Sequence, residues 1–143
     1  MLSQTSKIAI KAVIFLTSKS EEGETVNVKE IAEFINASEH TVGKALQLLA
    51  KRDIIKSYKG PNGGFFIDEI QRDQPIYDIV EAIEGNSVFN GCGLGLSQCS
   101  ATHPCPIHHE YKVVRDMIEN IFREKKIKDL CEVVTSGFAF LDG

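Results

Sequence analysis

The sequence lacks any long run of apolar residues. Its longest stretch without a charged side chain, residues 85–109, is interrupted by Gly, Pro, Asn, Ser and His and therefore cannot form a bilayer-spanning helix. The N-terminus also lacks a basic segment that leads into an apolar run and a small-residue cleavage site. We therefore expect a cytoplasmic protein that does not enter a membrane. In that compartment, its four cysteines favour thiolate or metal chemistry over disulfides.

Sequence motifs of common enzyme active sites are absent as well. The sequence has no Ser/His/Asp order, Walker loop or dinucleotide fingerprint, and its one Gly-Leu-Gly, at residues 93–95, lacks the strand and helix that a phosphate loop needs. The composition, 43% hydrophobic and 25% charged, is that of an ordinary folded chain, and 143 residues suffice for one domain with a real core or for one small domain plus an appendage. We therefore expect a protein that is not an enzyme.

The charges are distributed unevenly along a chain whose net charge is −4. Residues 71–143 contain seven basic and eleven acidic side chains, whereas the basic and acidic side chains of residues 1–70 are equal in number. Within the neutral half, residues 36–67 carry a local excess of positive charge. A basic patch on one face allows even a net-acidic protein to bind DNA, because attraction to phosphate is short-ranged at physiological salt.

The first half of the chain has the pattern of a helix-turn-helix. A helical stripe of apolar residues over residues 3–18 predicts a first helix. Asn27 is the predicted N-cap of a short second helix. Ser38 is the predicted N-cap of a third helix, which ends near residue 52. The break between the second and third helices, at residues 36–37, is short enough for a helix-turn-helix.

A β-hairpin is predicted directly after these helices. Residues 54–59 and 65–67 have the composition of two strands, and the Gly/Pro-rich residues 60–64 have that of a tight turn. A hairpin at this place is the wing of a winged helix-turn-helix. The fold class is therefore mainly α with a small β-hairpin wing.

The polar residues of the third helix and the wing are candidates for DNA contacts, because the N-terminal part of a recognition helix meets base edges in the major groove. These candidates are Ser38, His40, Thr41, Lys44, Lys56, Lys59, Asn62 and Gly63. The alternative is a helix pair and hairpin with solvated lysines. Gly43, inside the third helix, either allows close approach to DNA or relieves packing.

The second half begins after a predicted linker at residues 71–74. Pro75 and Gly85 are placed to begin and end a further helix. We therefore divide the chain into a DNA-binding part, residues 1–74, and a sensing and dimerising part, residues 75–143.

Three cysteines lie in the uncharged segment that follows, and these are Cys92, Cys99 and Cys105. This predicted loop, residues 85–109, has few residues able to build a core and therefore needs something to fold around, such as a metal. Structural zinc sites usually contain a Cys-x2-4-Cys pair, which is absent here. The wide spacing favours an iron-sulfur cluster, whose charge with three thiolates and a neutral fourth ligand is −1.

A histidine is the candidate for the fourth ligand. His108 comes three residues after Cys105 and begins the next helix, so its side chain can turn toward the same site. His103 and His109 are its competitors. The fourth cysteine, Cys131, lies in a predicted helical turn and is interpreted as a small buried hydrophobe.

A long helix is predicted from residue 108 to about residue 125, with apolar residues spaced four, three, four and three from residue 107 onward. The members of this heptad seam are Ile107, Tyr111, Val114, Ile118 and Ile121. The simplest partner for the seam is its twin in a homodimer, which would place two reading helices about 34 Å apart on a palindromic operator. The alternative is packing within the chain.

Taken together, these motifs resemble the Rrf2 family of transcription regulators, which includes iron-sulfur cluster regulators and nitric-oxide-sensing repressors. The N-terminal residues 6–12, the helix-turn-helix, the wing at residues 59–65, the three-cysteine loop and the long helix occur in the family's order. The resemblance implies a winged helix-turn-helix with a long dimerisation helix, and a homodimer with one cluster per subunit.

The resemblance also implies a ligand set. The three cysteines match the family's cysteine ligands, and His108 matches the histidine ligand of the [2Fe-2S] cluster-assembly regulators, although the first gap is one residue longer here. Nitric-oxide-sensing relatives use an acidic residue of the partner's first helix on a [4Fe-4S] cluster, and Lys7 stands at the matching position. A [2Fe-2S] cluster is therefore favoured over a [4Fe-4S] cluster.

The leading hypothesis is a homodimeric DNA-binding regulator whose operator affinity is controlled by this cluster. The first alternative keeps DNA binding but uses the cysteines as a direct thiol redox switch. The second alternative is a small iron-sulfur electron carrier, which would have no use for a wing.

Overall fold

The computed structural model describes residues 1–21 and 23–142. These residues form mostly helices and one two-stranded antiparallel sheet, which confirms the predicted fold class. In chain order the elements are α1 (Gln4–Glu21), α2 (Val28–Ile35), α3 (Glu39–Lys51), β1 (Lys56–Tyr58), β2 (Gly64–Phe66), α4 (Glu69–Arg72), α5 (Ile76–Glu84), α6 (Ser87–Asn90), α7 (His108–Glu124) and α8 (Ile127–Thr135). None of the helices in the described part of the chain is both long and apolar enough to cross a bilayer.

Side-chain caps and a left-handed residue define the helix-turn-helix. The Asn27 side chain accepts a hydrogen bond from the Glu30 backbone N–H at the start of α2, and Ser38 accepts one from Thr41 at the start of α3. Between them, Asn36 adopts a left-handed conformation with φ of 54°, which asparagine tolerates better than most residues. The predicted caps and the short break are therefore confirmed.

One apolar core extends through both halves of the chain. Helix α1 lies at its centre and packs against α2, α3, α5 and α8. The core residues that α1 contributes are Ile8, Ala9, Ala12, Val13 and Leu16. Ile76, Ile79 and Ile127 belong to the same cluster, so the helix-turn-helix and the second half of the chain share a continuous interior.

The wing is anchored to the core by a third backbone segment. Strands β1 and β2 pair with Lys56 opposite Phe66, and Val26 forms a further antiparallel bridge with Phe65. Gly64 is needed for this approach, because a Cβ there would lie 2.6 Å from the Val26 carbonyl oxygen. The hairpin therefore projects from the body of the protein on a fixed base.

Two local predictions from the sequence are wrong. Residues 71–72 of the predicted linker belong to α4, because Asp68 and Gln71 form a capping box and the Gln71 side chain donates to the Asp53 carbonyl (3.0 Å). Residues 85–109 are not entirely loop, because α6 forms within them. Phe89 on α6 is buried against the Tyr77 ring at a centroid distance of 4.6 Å, and this aromatic contact anchors the start of the segment.

A carboxylate connects the end of α5 to the beginning of α1. Glu84 Oε2 accepts hydrogen bonds from the Ser3 backbone N–H (3.0 Å) and from the Ser6 hydroxyl. Burial opposes ionisation of Glu84, but the hydrogen bonds from Ser3 and Ser6 outweigh it and lower the pKa of this carboxyl. Glu84 thus ties the residue before the uncharged segment to the first turn of the central helix.

We predict that Glu84→Gln reduces the free energy of unfolding by about 1 kcal/mol at pH 7, because a charged acceptor is lost at a partly exposed site. A lowered folded-state pKa stabilises the protein above the unfolded-state pKa, and this contribution is lost as the pH falls. The difference between variant and wild type should therefore shrink below the ordinary glutamate pKa of about 4.3. Urea unfolding between pH 7 and pH 3 measures it.

The matched control is Glu24→Gln, which changes an exposed carboxylate far from this contact. A Glu84→Gln effect that is the same at pH 3 and pH 7, or equal to that of the control, would contradict the role of the ionised carboxylate.

Candidate metal centre and nucleic-acid interface

The three cysteines of the uncharged segment converge on one point. The Sγ atoms of Cys92, Cys99 and Cys105, which we call the thiol cluster, all lie within 4.8 Å of one another, and those of Cys92 and Cys105 are 3.6 Å apart. All three are free cysteines with partly exposed side chains. Two sulfurs bound to one tetrahedral metal at 2.3 Å are separated by about 3.8 Å. The thiol cluster therefore has the spacing of a metal-binding group.

An imidazole adjoins the thiol cluster. The Nδ1 atom of His108, the first residue of α7, lies 3.1 Å from Cys99 Sγ. Of the competing histidines, His103 forms a backbone bridge with Ser100 and lines an open cavity of about 410 Å³ beside the thiols. His109 contacts the His108 ring edge-on. The structure thus places an imidazole nitrogen of His108 beside a thiol.

Backbone amides make one thiol more acidic than an ordinary cysteine. The N–H groups of Leu96 and Leu94 point at Cys92 and lower its pKa to about 7. Burial raises the pKa of the Cys105 thiol. Cys131 differs from all three, because burial in α8 raises its pKa to about 11 and leaves it inert, which confirms its interpretation as a small core residue.

Small residues let the segment fold against α7. A Cβ added at Gly93 would lie 2.8 Å from the Tyr111 ring, so this ring of α7 closes directly over the backbone that follows Cys92. Arg115, one turn further along α7, donates from Nη1 to the Gly91 carbonyl (2.6 Å). Helix α7 therefore contacts the segment on both sides of Cys92.

The polar face of α3 is exposed near its N-terminus. His40 and Lys44 are solvent-exposed and available for a partner. Ser38 and Thr41 have internal roles, since the Ser38 hydroxyl caps the helix and also lies 2.8 Å from Thr41 Oγ1. Gly43 needs no packing explanation, because an added Cβ would meet only Val28 at an ordinary distance of 3.7 Å.

The two lysines of the wing differ in their partners. Lys56 pairs with a carboxylate, whereas Lys59 forms no ion pair within the described residues. Lys56 Nζ is 2.9 Å from an Asp68 carboxylate oxygen, and the hydrogen bond and charge of Asp68 raise the pKa of Lys56. Lys59 and Asn62 are exposed at the tip. Gly63 forms the turn, because a Cβ there would lie 2.2 Å from the Tyr58 carbonyl oxygen.

Comparison with known proteins identifies the family to which the chain belongs. The sequence profile of the Rrf2 family, described as an iron-dependent transcriptional regulator, matches residues 2–133. This chain is a member of the Rrf2 family. Its relatives include a protein of Aquifex aeolicus named as an HTH-type transcriptional regulator, 30% identical over 135 residues that cover 93% of this chain and 92% of that protein. The HTH-type transcriptional regulator NsrR of Oceanobacillus iheyensis is 25% identical over 130 residues, covering 90% and 88%.

Solved structures of similar fold are also regulators. CymR, the global cysteine regulator of B. subtilis, superposes with a TM-score of 0.75 at 20% identity and covers 94% of this chain and 98% of its own. IscR of T. potens has a TM-score of 0.73 at 22% identity and covers 97% and 91%. These likenesses show the Rrf2 winged-helix fold. The family and its members are transcription regulators rather than enzymes, as the sequence predicts, and membership implies DNA binding.

In this Rrf2 protein, the predicted dimer seam is divided between two faces of α7. Tyr111 lies against Gly93, and Ile118 packs on the buried cluster that contains Phe89, so both contact their own chain. Ile107 precedes the helix and is partly exposed. The other two seam residues, Val114 and Ile121, are exposed and share the exposed apolar face of α7 with Val113 and Met117.

Sequence reasoning missed two residues that hold this part of the Rrf2 fold together. Arg115 and Glu84 bind backbone or side-chain groups 24 and 81 residues away, at Gly91 and Ser3. Arg115 carries a weak signal in the sequence. It lies four residues after Tyr111 and three before Ile118, so a charged residue occupies a position on the same helical stripe as two apolar ones. Glu84 carries none.

Proposed function

We propose that this Rrf2 regulator controls DNA binding through an iron-sulfur cluster held by the thiol cluster, with His108 as the fourth ligand. The observation that carries the proposal is the convergence of three thiols and one imidazole nitrogen, at the distances given above, in a segment free of charged side chains. The DNA-reading part is residues 1–74, the sensing and dimerising part is residues 75–143, and the place of action is the cytoplasm, where the operator DNA lies.

The donor set fits a [2Fe-2S] cluster better than a [4Fe-4S] cluster. With three thiolates and a neutral nitrogen ligand, an oxidised [2Fe-2S] and a [4Fe-4S] core both carry a charge of −1, so the preference rests on the nitrogen donor that His108 offers beside Cys99 rather than on charge. Lys7 stands where an acidic fourth ligand would be needed for the [4Fe-4S] arrangement of nitric-oxide-sensing relatives. When bound, the cluster would supply one-electron redox chemistry that is sensitive to oxidants.

The chain's own contacts provide a route from the thiol cluster to the DNA-binding helices. Tyr111 and Arg115 connect the segment to α7, and Glu84 connects its beginning to α1. Helix α1 packs directly against α3. A change in how the segment is held would therefore reach the recognition helix through the contact of Glu84 with α1 and the packing of α1 on α3. A difference in structure between the protein with the cluster and the protein without it would then appear as a difference in operator affinity.

A thiol switch without metal is the second candidate function. The Cys92 and Cys105 sulfurs are 3.6 Å apart, close enough to approach disulfide distance with small side-chain rotations. The pKa of Cys92 near 7 makes its thiolate available at neutral pH. An oxidant would then remove two electrons and two protons and join the two sulfurs.

We predict that protein reconstituted anaerobically with iron and sulfide binds about two of each per protomer and absorbs visible light as iron-sulfur proteins do. Cys99→Ser should abolish most of this binding, whereas Cys131→Ser, which alters a buried cysteine outside the thiol cluster, should not. Iron and sulfide analysis with a visible spectrum measures both.

Wild-type protein that takes up zinc but no sulfide, or neither, would contradict the cluster. In that case, mass spectrometry of the metal-free protein after mild oxidation tests the second candidate, which requires a disulfide between Cys92 and Cys105.

We propose that α3 and the wing form the DNA interface, with His40 and Lys44 at base edges and Lys59 and Asn62 on the backbone or minor groove. Ser38 and Thr41 would present their hydroxyls from the first turn, and Gly63 would keep the tip close to DNA. Lys56 contributes less than the other two lysines, because its ammonium already pairs with Asp68.

We predict that Lys44→Gln and Lys59→Gln each weaken binding to a duplex selected by the wild type from a random pool. Lys59→Gln, which removes a backbone contact, should reduce the salt slope of log K by about 1, whereas Lys44→Gln, which removes a base contact, should mainly reduce the preference for the selected duplex over a random one. Lys56→Gln should change the slope less. Fluorescence anisotropy at several salt concentrations measures these slopes, and Lys112→Gln, on α7, is the control. Equal slopes for all four variants and the wild type would contradict this interface.

We propose that a homodimer forms through the exposed face of α7. Val114 and Ile121 are 54% and 55% exposed, and contiguous exposed apolar residues on one helix face commonly mark a protein interface. Two copies joined there would present two reading helices to a palindromic operator.

We predict that Met117→Glu lowers the dimer fraction at least tenfold in light-scattering measurements after gel filtration, because it buries an unpaired charge. Lys112→Glu, which places the same charge on another face of α7, should leave the dimer intact. A monomeric wild type, or a Met117→Glu variant that remains dimeric at the same concentration, would contradict the proposed interface.

A further inference from the structure

Arg115 differs from the neighbouring cations of α7 in its partners. Lys112 pairs with Asp116, and Arg123 pairs with Glu119, each one turn along the helix. Within residues 1–21 and 23–142, no carboxylate forms an ion pair with Arg115. Its Nη1 instead donates to a neutral carbonyl, and its Nε is buried without a hydrogen-bond partner. Arg115 is thus a partly buried cation that forms no ion pair with any carboxylate of the described residues.

The location of this charge points to the group that would neutralise it. Nη1 lies 2.6 Å from the carbonyl oxygen of Gly91, the residue bonded directly to Cys92. The surrounding residues 85–109 contain no acidic side chain. Partial burial of a cation without an ion-pair partner carries a cost, and a hydrogen bond to a neutral carbonyl offsets only part of it. Thiolates of the thiol cluster are the negative groups that this segment itself offers.

The same contact also sets the position of Cys92. Tyr111, four residues before Arg115, covers Gly93, and Ile118, three residues after it, packs near Phe89. Arg115 therefore lies on the face of α7 that contacts the segment, and its hydrogen bond holds the peptide that leads into the first cysteine of the thiol cluster.

We propose that Arg115 is a positioning and charge-compensating residue of the thiol cluster. It orients the Gly91 peptide, and its positive charge stabilises the negatively charged metal-bound thiolates. The proposal rests on the proposed function, since it assigns a residue to the same site. If Arg115 has this role, its charge itself must affect the bound metal centre. A purely structural hydrogen bond would have no such effect.

The test compares variants that separate charge from hydrogen bonding. Arg115→Lys keeps the charge, whereas Arg115→Gln keeps a hydrogen-bond donor and removes the charge, and Arg115→Met is a second neutral variant in case the glutamine protein does not fold. Lys112→Gln removes a neighbouring positive charge of α7 that is exposed and already paired with Asp116, and it is the matched control. Thermal unfolding of the metal-free proteins establishes that each variant folds.

Two readouts are measured on each protein. One is the reduction potential of the reconstituted iron-sulfur centre, and the other is the affinity for Zn²⁺ in competition with a chelator. A nearby positive charge favours the more negative, reduced state. Arg115→Gln should therefore lower the equilibrium constant for reduction of the centre about tenfold, which is a potential decrease of 59 mV for one electron. It should also weaken Zn²⁺ binding about tenfold. Arg115→Lys and Lys112→Gln should stay near the wild type.

The inference is overturned if Arg115→Gln matches the wild type in both readouts, or if Arg115→Lys loses as much as Arg115→Gln, because a charge-independent role would then suffice. Failure of the wild type to assemble a cluster would refute the proposed function by itself. The Zn²⁺ measurements would still decide the role of Arg115 in that case.

Discussion

The packing of one face of α7 against an uncharged, glycine-rich segment is the contact on which this structure's candidate site depends. Residues 85–109 contain no charged side chain that could form an ion pair, and α6 contributes Phe89 as their buried aromatic anchor. The inward-facing residues of α7 supply an aromatic ring over Gly93 and a donor for the Gly91 carbonyl, and the first residue of the helix, His108, places its imidazole beside Cys99. The thiol cluster exists because these contacts fold the segment back on itself.

Helix α7 has two apolar faces that serve different purposes in the proposed mechanism, one toward the thiol cluster and one toward a second copy. Its inward face contacts the segment, whereas its exposed apolar face is free for a second copy. At the other end of the segment, Glu84 connects to the first turn of α1, the helix around which the common core is built. The segment that holds the thiol cluster therefore contacts α7 and, through Glu84, is joined to α1, which packs against α3, and the proposed coupling of a ligand to DNA affinity would use these contacts.

Local signals in the sequence predict much of this fold. Asn27, Ser38 and the Gly/Pro turn of the wing act over a few residues, so the caps, the helix-turn-helix and the hairpin follow from neighbouring positions alone. The heptad seam is a weaker guide, since a spacing of four and three places Tyr111 and Val114 on one stripe, while the tertiary fold turns the first inward and leaves the second exposed. Glu84 and Arg115 have partners distant in sequence, so no local pattern could identify those partners. The convergence of the three thiols likewise depends on tertiary packing.

The most direct test of the central claim follows operator affinity in a single preparation through removal of the bound centre and its reassembly. The account predicts that the dissociation constant changes at least tenfold when a chelator strips the protein and returns when iron and sulfide are restored. A variant in which all three cysteines of the thiol cluster are serine should keep one affinity throughout. An unchanged wild-type dissociation constant, with loading and stripping verified by iron analysis, would contradict the account and leave a regulator that binds DNA independently of its cysteines.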